Sequence, residues 1–258
     1  MCLILLAVKA HSRYPFVLVS NRDEFLDRPT VPAHFWEDCP QVLAGRDVNG
    51  NGTWLGMTVQ GRVAGLTNVR APGALQTDRP SRGGLVSAYL ISGQDPASFL
   101  NLQQPGHFNP FNLILGSVQE LVFFSSLEQE AVGIGPGIHG LSNASLNTPW
   151  PKVTTGKARM AELMDRKVLN PEDFMSILQD QTQPEDAALP QTGVGLELER
   201  FLAPIFIKGR SYGTRSSSVI MVDDQGLVRF WERTHDGKGT KKGAPATWAP
   251  VREFSFSL

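Results

Sequence analysis

Residues 1–25 read MCLILLAVKAHSRYPFVLVSNRDEF. A cysteine stands second, an apolar run follows it, and the tetrad Asn21-Arg22-Asp23-Glu24 closes the stretch. Three roles compete for the opening: a secretory leader, a buried strand, or a nucleophile that becomes the chain terminus once Met1 is removed. The run from Cys2 to Val8 has no basic segment before it and meets Lys9 instead of a small-residue cleavage site, so it does not fit a signal peptide. It is also far short of the ~20 apolar residues needed to span a bilayer. Apolar residues on both sides of Leu3–Val8 suit a strand covered on both faces. Phe16–Ser20 follows after a Pro-containing turn, which predicts an antiparallel hairpin.

The pattern extends outward from this hairpin. GTWLGMTVQGRVAGLTN, residues 52–68, predicts two strands around Gly61. SRGGLVSAYLIS and DPASFLNLQ have helical spacing, the second with an Asp-Pro start that suits a cap and first helical position. Strands return at FNLILGSV and ELVFFSS. A second helical block covers PWPKVTTGKARMAELMDRKV and NPEDFMSILQDQ, where Met160, Leu163, Met164, Phe174, Ile177 and Leu178 recur at three- and four-residue steps. The last third predicts strands at PIFIKG, GTRSSSVIMVDD, GLVRFWERTH and VREFSFSL, with Asp223-Asp224-Gln225-Gly226 as a hairpin turn. Strands at both ends with helices in blocks between them predict an α+β fold: two antiparallel sheets stacked face to face with helices outside. One domain, residues 1–258, is expected, and the loop at 183–195 does not read as a domain linker.

Composition narrows the function. Hydrophobic residues make up 41% and charged residues 19% of 258, which excludes a disordered chain and indicates a soluble globular one. A net charge of -1 supplies no field for phosphate backbones or anionic lipid, so neither a nucleic acid partner nor stable membrane insertion is expected. Two cysteines provide no disulfide framework and no metal-ligand cluster, which favours a reducing, cytoplasmic location. Two motifs are weaker than they look. DVNGNG, from Asp47, begins like a calcium loop but has Thr58 where a bidentate Glu is required, and reads better as a Gly/Asn turn. GPGIHG, from Gly135, satisfies a dinucleotide fingerprint yet contains Pro and opens no helix.

Cys2 has a chemistry that depends on its position. Its side chain is small enough for removal of Met1, which leaves a thiol and a free α-amine on one residue. Their reference pKa values, about 8.5 and 8, allow the amine to take the thiol proton near neutral pH. The competing role is a small hydrophobe at the start of a buried strand.

Five further motifs, SNRDEF...RPT (Ser20–Thr30), GRD...GTWLG (Gly45–Gly56), GLTNVRAP (from Gly65), GLSNASLNTPWPK (from Gly140) and YGTRSSSV (from Tyr212), together resemble the NRDE family, the transport-and-Golgi-organisation proteins. The resemblance implies an αββα sandwich of the N-terminal nucleophile hydrolases, close to the choloylglycine hydrolase and penicillin acylase group, which cleave linear amides. It would make Cys2 nucleophile and, through its amine, base. Arg22 would lower the thiol pKa, and Asp23 would orient the amine while also favouring its ammonium form. Asn143, through its side-chain amide, and Asn68, through its backbone NH, would hold an oxyanion. Arg215 would face the same cleft and hold the nucleophile or a substrate carboxylate. Arg22 and Asp23 are adjacent, however, and neighbours on a strand point to opposite faces.

The implied function is hydrolysis of a small linear non-peptide amide with no metal or cofactor. The alternative is a non-catalytic carrier of haem or another apolar, acyl-type ligand on the same fold, in keeping with the haem trafficking suggested for the family. Oligomeric state is not encoded in any visible pattern.

Overall fold

The computed structural model describes residues 2–235 and 250–258. Thirteen strands are present among them: β1 Cys2–Val8, β2 Phe16–Phe25, β3 Thr30–Phe35, β4 Val42–Asp47, β5 Leu55–Thr58, β6 Arg62–Asn68, β7 Phe111–Ser117, β8 Leu121–Ser125, β9 Ala131–Ile134, β10 Gly137–Leu141, β11 Tyr212–Val222, β12 Leu227–Thr234 and β13 Arg252–Ser257. The α-helices are α1 Gly83–Ser92, α2 Pro96–Asn101, α3 Pro151–Met164, α4 Pro171–Leu178 and α5 Leu196–Leu202. One sheet has the order β10-β1-β2-β11-β12-β13 and the other runs β3 to β9 in sequence order. All pairings are antiparallel.

Alternation along the first strands builds the layers. Ile4, Leu6 and Val8 of β1, with Phe16 and Leu18 of β2, pack against Leu55, Val63 and Ile114 of the second sheet. Leu3, Leu5 and Ala7, with Val17 and Val19, turn outward onto Val153, Met160 and Phe174 of α3 and α4. On the far side, Leu113 and Leu115 of β7 meet Leu85, Val86 and Tyr89 of α1. The order of layers is therefore helix, sheet, sheet, helix, and the expected α+β sandwich is the observed one. Because both faces of β1 are covered, each of its large side chains leaves water, worth about 1.5–3 kcal/mol apiece. The methionines of α3 serve as core fill, as their spacing predicts.

Local signals place the expected hairpins and caps. The β1–β2 hairpin forms, Gly61 turns β5 into β6 with φ +80°, and Gly226 closes the β11–β12 turn through its NH to the Asp223 carbonyl at 3.0 Å. Asp95 caps α2 by accepting from the Ser98 NH at 3.0 Å. One expectation fails. Pro204–Gly209, read as a strand, joins neither sheet. Its backbone groups are taken elsewhere: the Phe206 NH bonds the Asp180 carbonyl, the Ile207 NH bonds the Thr214 hydroxyl, and the Ile205 carbonyl accepts from the Asn21 amide. Apolar content here reports burial without a ladder. Among the described residues, no helix is long and apolar enough to cross a membrane.

Candidate functional site

The hairpin that opens the chain also opens a cavity. Cys2 is the first residue of β1 and lies opposite Arg22 in the ladder, so both side chains leave the sheet on its inner face. Arg22 is 4% exposed. Its Nη2 contacts Asp47 Oδ2 at 3.3 Å, its Nη1 donates to the Thr30 hydroxyl at 3.0 Å, and its guanidinium stacks 4.3 Å from the Trp54 ring centroid. Gly45 makes room for that tryptophan, since a Cβ there would sit 2.3 Å from the ring. The DVNGNG turn has its own use: Asp47 accepts from the Gly50 NH with Oδ1, and Oδ2 is shared by Arg22 and Arg28.

Asp23 follows the opposite face, as strand alternation requires. It is 1% exposed, and its Oδ1 accepts from the Thr214 hydroxyl at 2.7 Å. Burial pushes its carboxyl upward, while the charge of Lys152 pulls it down. Burial likewise pushes the Cys2 thiol up; the Asp23 carboxylate adds to this, and the Asp23 main-chain amide and Arg22 oppose it. Cys2, Arg22, Asp23 and Asn68 all line a cavity of about 730 Å³.

Asn143 is a link behind this wall. Its Nδ2 donates to the Asn68 carbonyl at 2.7 Å, its own carbonyl accepts from the Arg70 NH at 2.8 Å, and neighbouring Ser142 donates to the Cys2 carbonyl at 3.2 Å. Cys2, Asn68 and Asn143 are thus brought together across the two sheets. Arg215 goes elsewhere. It is the extra residue of a bulge in β11, where Thr214 faces Asp23 and Ser216 faces Arg22. Its guanidinium donates to the carbonyls of Phe25, Leu26 and Arg28, which ties down the turn after β2.

The structure adds residues to which the motifs assigned no role. Arg70, in GLTNVRAP, forms a buried ion pair with Glu199 of α5, and each side chain is 4% exposed. Glu199 also accepts from the NH and hydroxyl of Thr192 at 2.9 and 2.6 Å. Arg82, before α1, lines the cavity and donates to the Pro110 carbonyl at 3.2 Å. It has no ion pair among the described residues. Lys152, the last residue of GLSNASLNTPWPK, is 3% exposed, and its Nζ makes no hydrogen bond among the described residues. No spacing rule distinguishes a buried lysine from a solvated one.

The motifs that form this wall are spread over most of the chain, and so is its similarity to known proteins. The family model described as Transport and Golgi organisation 2 matches residues 1–237. The chain belongs to the Transport and Golgi organisation 2 family. A mouse Transport and Golgi organization 2 homolog is 33% identical over 254 residues, covering 91% of this chain and 92% of that protein. A bovine homolog is 36% identical over 240 residues, covering 86% and 87%. Among solved structures, the C2A mutant of conjugated bile acid hydrolase from Clostridium perfringens is similar, with a TM-score of 0.49 and 9% identity over all of this chain and 97% of the other. Membership in the Transport and Golgi organisation 2 family agrees with the transport-and-Golgi-organisation part of the resemblance drawn from the motifs. The removal of Met1 lies outside the described residues.

Proposed function

We propose that this family member is an N-terminal cysteine amidohydrolase acting on a small linear amide. Once Met1 is removed, the Cys2 thiol passes its proton to the Cys2 α-amine, and the sulfur lone pair attacks the amide carbon. The carbonyl π pair moves to oxygen, where the Asn68 NH and Asn143 amide are the assigned donors. Collapse of this adduct breaks the C–N bond, and the departing nitrogen takes both the bond pair and the proton held by the α-ammonium. Water then cleaves the thioester, releasing the acid and restoring the thiol.

One observation carries this proposal: Cys2 lies directly across the ladder from a buried arginine, at the wall of a 730 Å³ cavity. A fixed positive charge beside a thiol favours thiolate. Intact-mass measurement of the chain from its native host tests the first step, with loss of one Met expected. Hydrolysis of a panel of N-acyl amides should then disappear in Cys2→Ala. A retained Met1, with Cys2 inert to alkylation, overturns the proposal.

A second reading, a carrier of haem or an acyl-type ligand, has its own observation. The cavity wall sets Arg82, which has no ion pair among the described residues, beside apolar Leu66, Leu75, Leu198 and Phe201. Such a wall suits an apolar molecule bearing an acidic group. Haem titration followed by absorbance separates the two readings. Stoichiometric binding that survives Cys2→Ala and weakens in Arg82→Ala favours the carrier.

A further inference from the structure

Arginines dominate the charge around the cavity, and most of them are already matched. Arg22 and Arg28 share Asp47, Arg28 also lies 3.8 Å from Glu24, and Arg70 pairs with Glu199. Arg79 and Arg82 belong to the segment that leads into α1 and line the same cavity as Cys2. Neither has an ion pair among the described residues. Both bond uncharged oxygens. Arg79 donates to Gln76 Oε1 at 2.7 Å and to the Gly106 carbonyl at 2.8 Å, and Arg82 donates through Nη1 to the Pro110 carbonyl at 3.2 Å. These contacts brace both side chains against the loop before β7 without neutralising them.

The backbone of that segment is fixed as well. The Thr53 NH bonds the Gly83 carbonyl at 3.2 Å, and a Cβ on Gly50 would lie 2.5 Å from Ser81 Oγ. The turn that supplies Asp47 to Arg22 therefore abuts the segment that carries Arg82. Gly83, the first residue of α1, lines the cavity, and the first turn of this ten-residue helix holds no acid. Its dipole adds positive potential on the same side. The acids that line the cavity are engaged: Asp47 and Glu24 with the arginines above, and Asp23 with the Thr214 hydroxyl. Another part of the wall is apolar. Phe201 of α5 meets the Tyr212 ring at 6.4 Å, and Tyr212 meets Phe25 at 5.3 Å, with Leu75 and Leu198 beside them on the lining.

We propose that the substrate is an acidic amphiphile: an amide with a carboxylate for Arg79 and Arg82 on one half and an apolar group for Phe25, Tyr212 and Phe201 on the other. The inference rests on the reading of Cys2 as an amidohydrolase nucleophile and names the class of amide it takes. A carboxylate that enters this cavity gives up water, and two braced guanidinium groups replace it with charge-assisted hydrogen bonds at little cost in ordering. A neutral analogue leaves both cations unmatched, so selectivity follows from the same contacts. Water added across the C–N bond then yields one apolar product and one that bears the carboxylate.

Calorimetric binding to the full chain carrying Cys2→Ala, which does not turn over, reads the anion site. N-decanoylglycine carries its carboxylate on the amine half, N-decylsuccinamic acid carries it on the acyl half, and N-decanoylethanolamine is the neutral control. At least one acid should bind about tenfold or more tighter than the control, and the tighter of the two identifies the acidic half. Arg82→Gln keeps a donor for the Pro110 carbonyl and removes the charge, so the preference should fall to about threefold or less, while Arg82→Lys should retain part of it. Arg79→Gln should lower it in the same direction and is the second variant if the first does not fold. Equal binding of acids and control, or a preference unchanged in the glutamine variants, overturns the inference. Hydrolysis by the unsubstituted chain lacking Met1 is read separately: an acid preference in binding with no turnover of any probe overturns the amidohydrolase reading and leaves the anion site standing.

Discussion

Cys2 and Arg22 face each other across the β1–β2 ladder, and the guanidinium is held from behind by Asp47 and Trp54. The charge is therefore fixed close to the thiol before any ligand arrives. Arg22→Met should slow alkylation of Cys2 at pH 7 by a few-fold to about tenfold, since loss of a nearby opposite charge moves a pKa by about one unit. Arg22→Lys should recover part of this, because it keeps the charge but loses the two-sided contact with Thr30 and Asp47. Equal rates in all three proteins would remove Arg22 from the site.

The Arg70–Glu199 pair joins the cavity wall to α5 in a water-poor setting. Glu199→Ala leaves the arginine buried without its acid and strips Thr192 of its acceptor. The expected cost is about 3–5 kcal/mol, measured by denaturant unfolding. A loss below about 1 kcal/mol would mean that water reaches the pair.

Glu232 of β12 crosses between the sheets to accept the Ala33 NH of β3 at 2.7 Å. Burial pushes its carboxyl from 4.5 up to about 7. A carboxyl raised in the folded chain binds its proton more tightly there than in the unfolded one. Its contribution to stability is therefore full below pH 4.5 and lost as pH rises through about 7. Glu232→Gln keeps an acceptor for Ala33 and has no proton to lose. The variant should be more stable than wild type at pH 8 by about 1–3 kcal/mol, with the difference closing below the unfolded pKa. Parallel stability curves from pH 4 to pH 8 would contradict the burial of an ionisable acid here.

Asn143→Ala removes the amide that holds the Asn68 carbonyl, leaving a buried acceptor unmet. Unfolding free energy should fall by about 1–3 kcal/mol. If Asn143 also serves the oxyanion, amide hydrolysis should fall by about 10²–10³. A stability loss with full activity would make the residue a structural tie alone.

The hairpin at the chain start, the alternating strands and the cap of α2 are visible in the sequence, because they depend on neighbours within a few residues. Asp95, for example, caps α2 by accepting from the Ser98 NH at 3.0 Å, and the Asp-Pro pair announces it. Pro204–Gly209 shows the limit of that logic: its residues are as apolar as a strand, yet its partners come from Asp180, Thr214 and Asn21, which no local pattern specifies. The site divides in the same way. One turn brings Cys2 opposite Arg22 and next to Asp23, a relation that follows from neighbouring residues. A single bulged residue directs Arg215 to the turn after β2 instead of the cleft that the resemblance implies for it.

The order of apolar and polar residues was enough to define two stacked sheets with outer helices and to mark the second residue as chemically unusual. Only the tertiary structure decided that Lys152 and Glu232 are buried, that Arg70 meets Glu199, and that Asn143 sits behind Asn68. Periodicity records which face of an element avoids water. That Arg70 lies opposite Glu199 depends on a contact between segments more than a hundred residues apart, which exists only once the layers have closed.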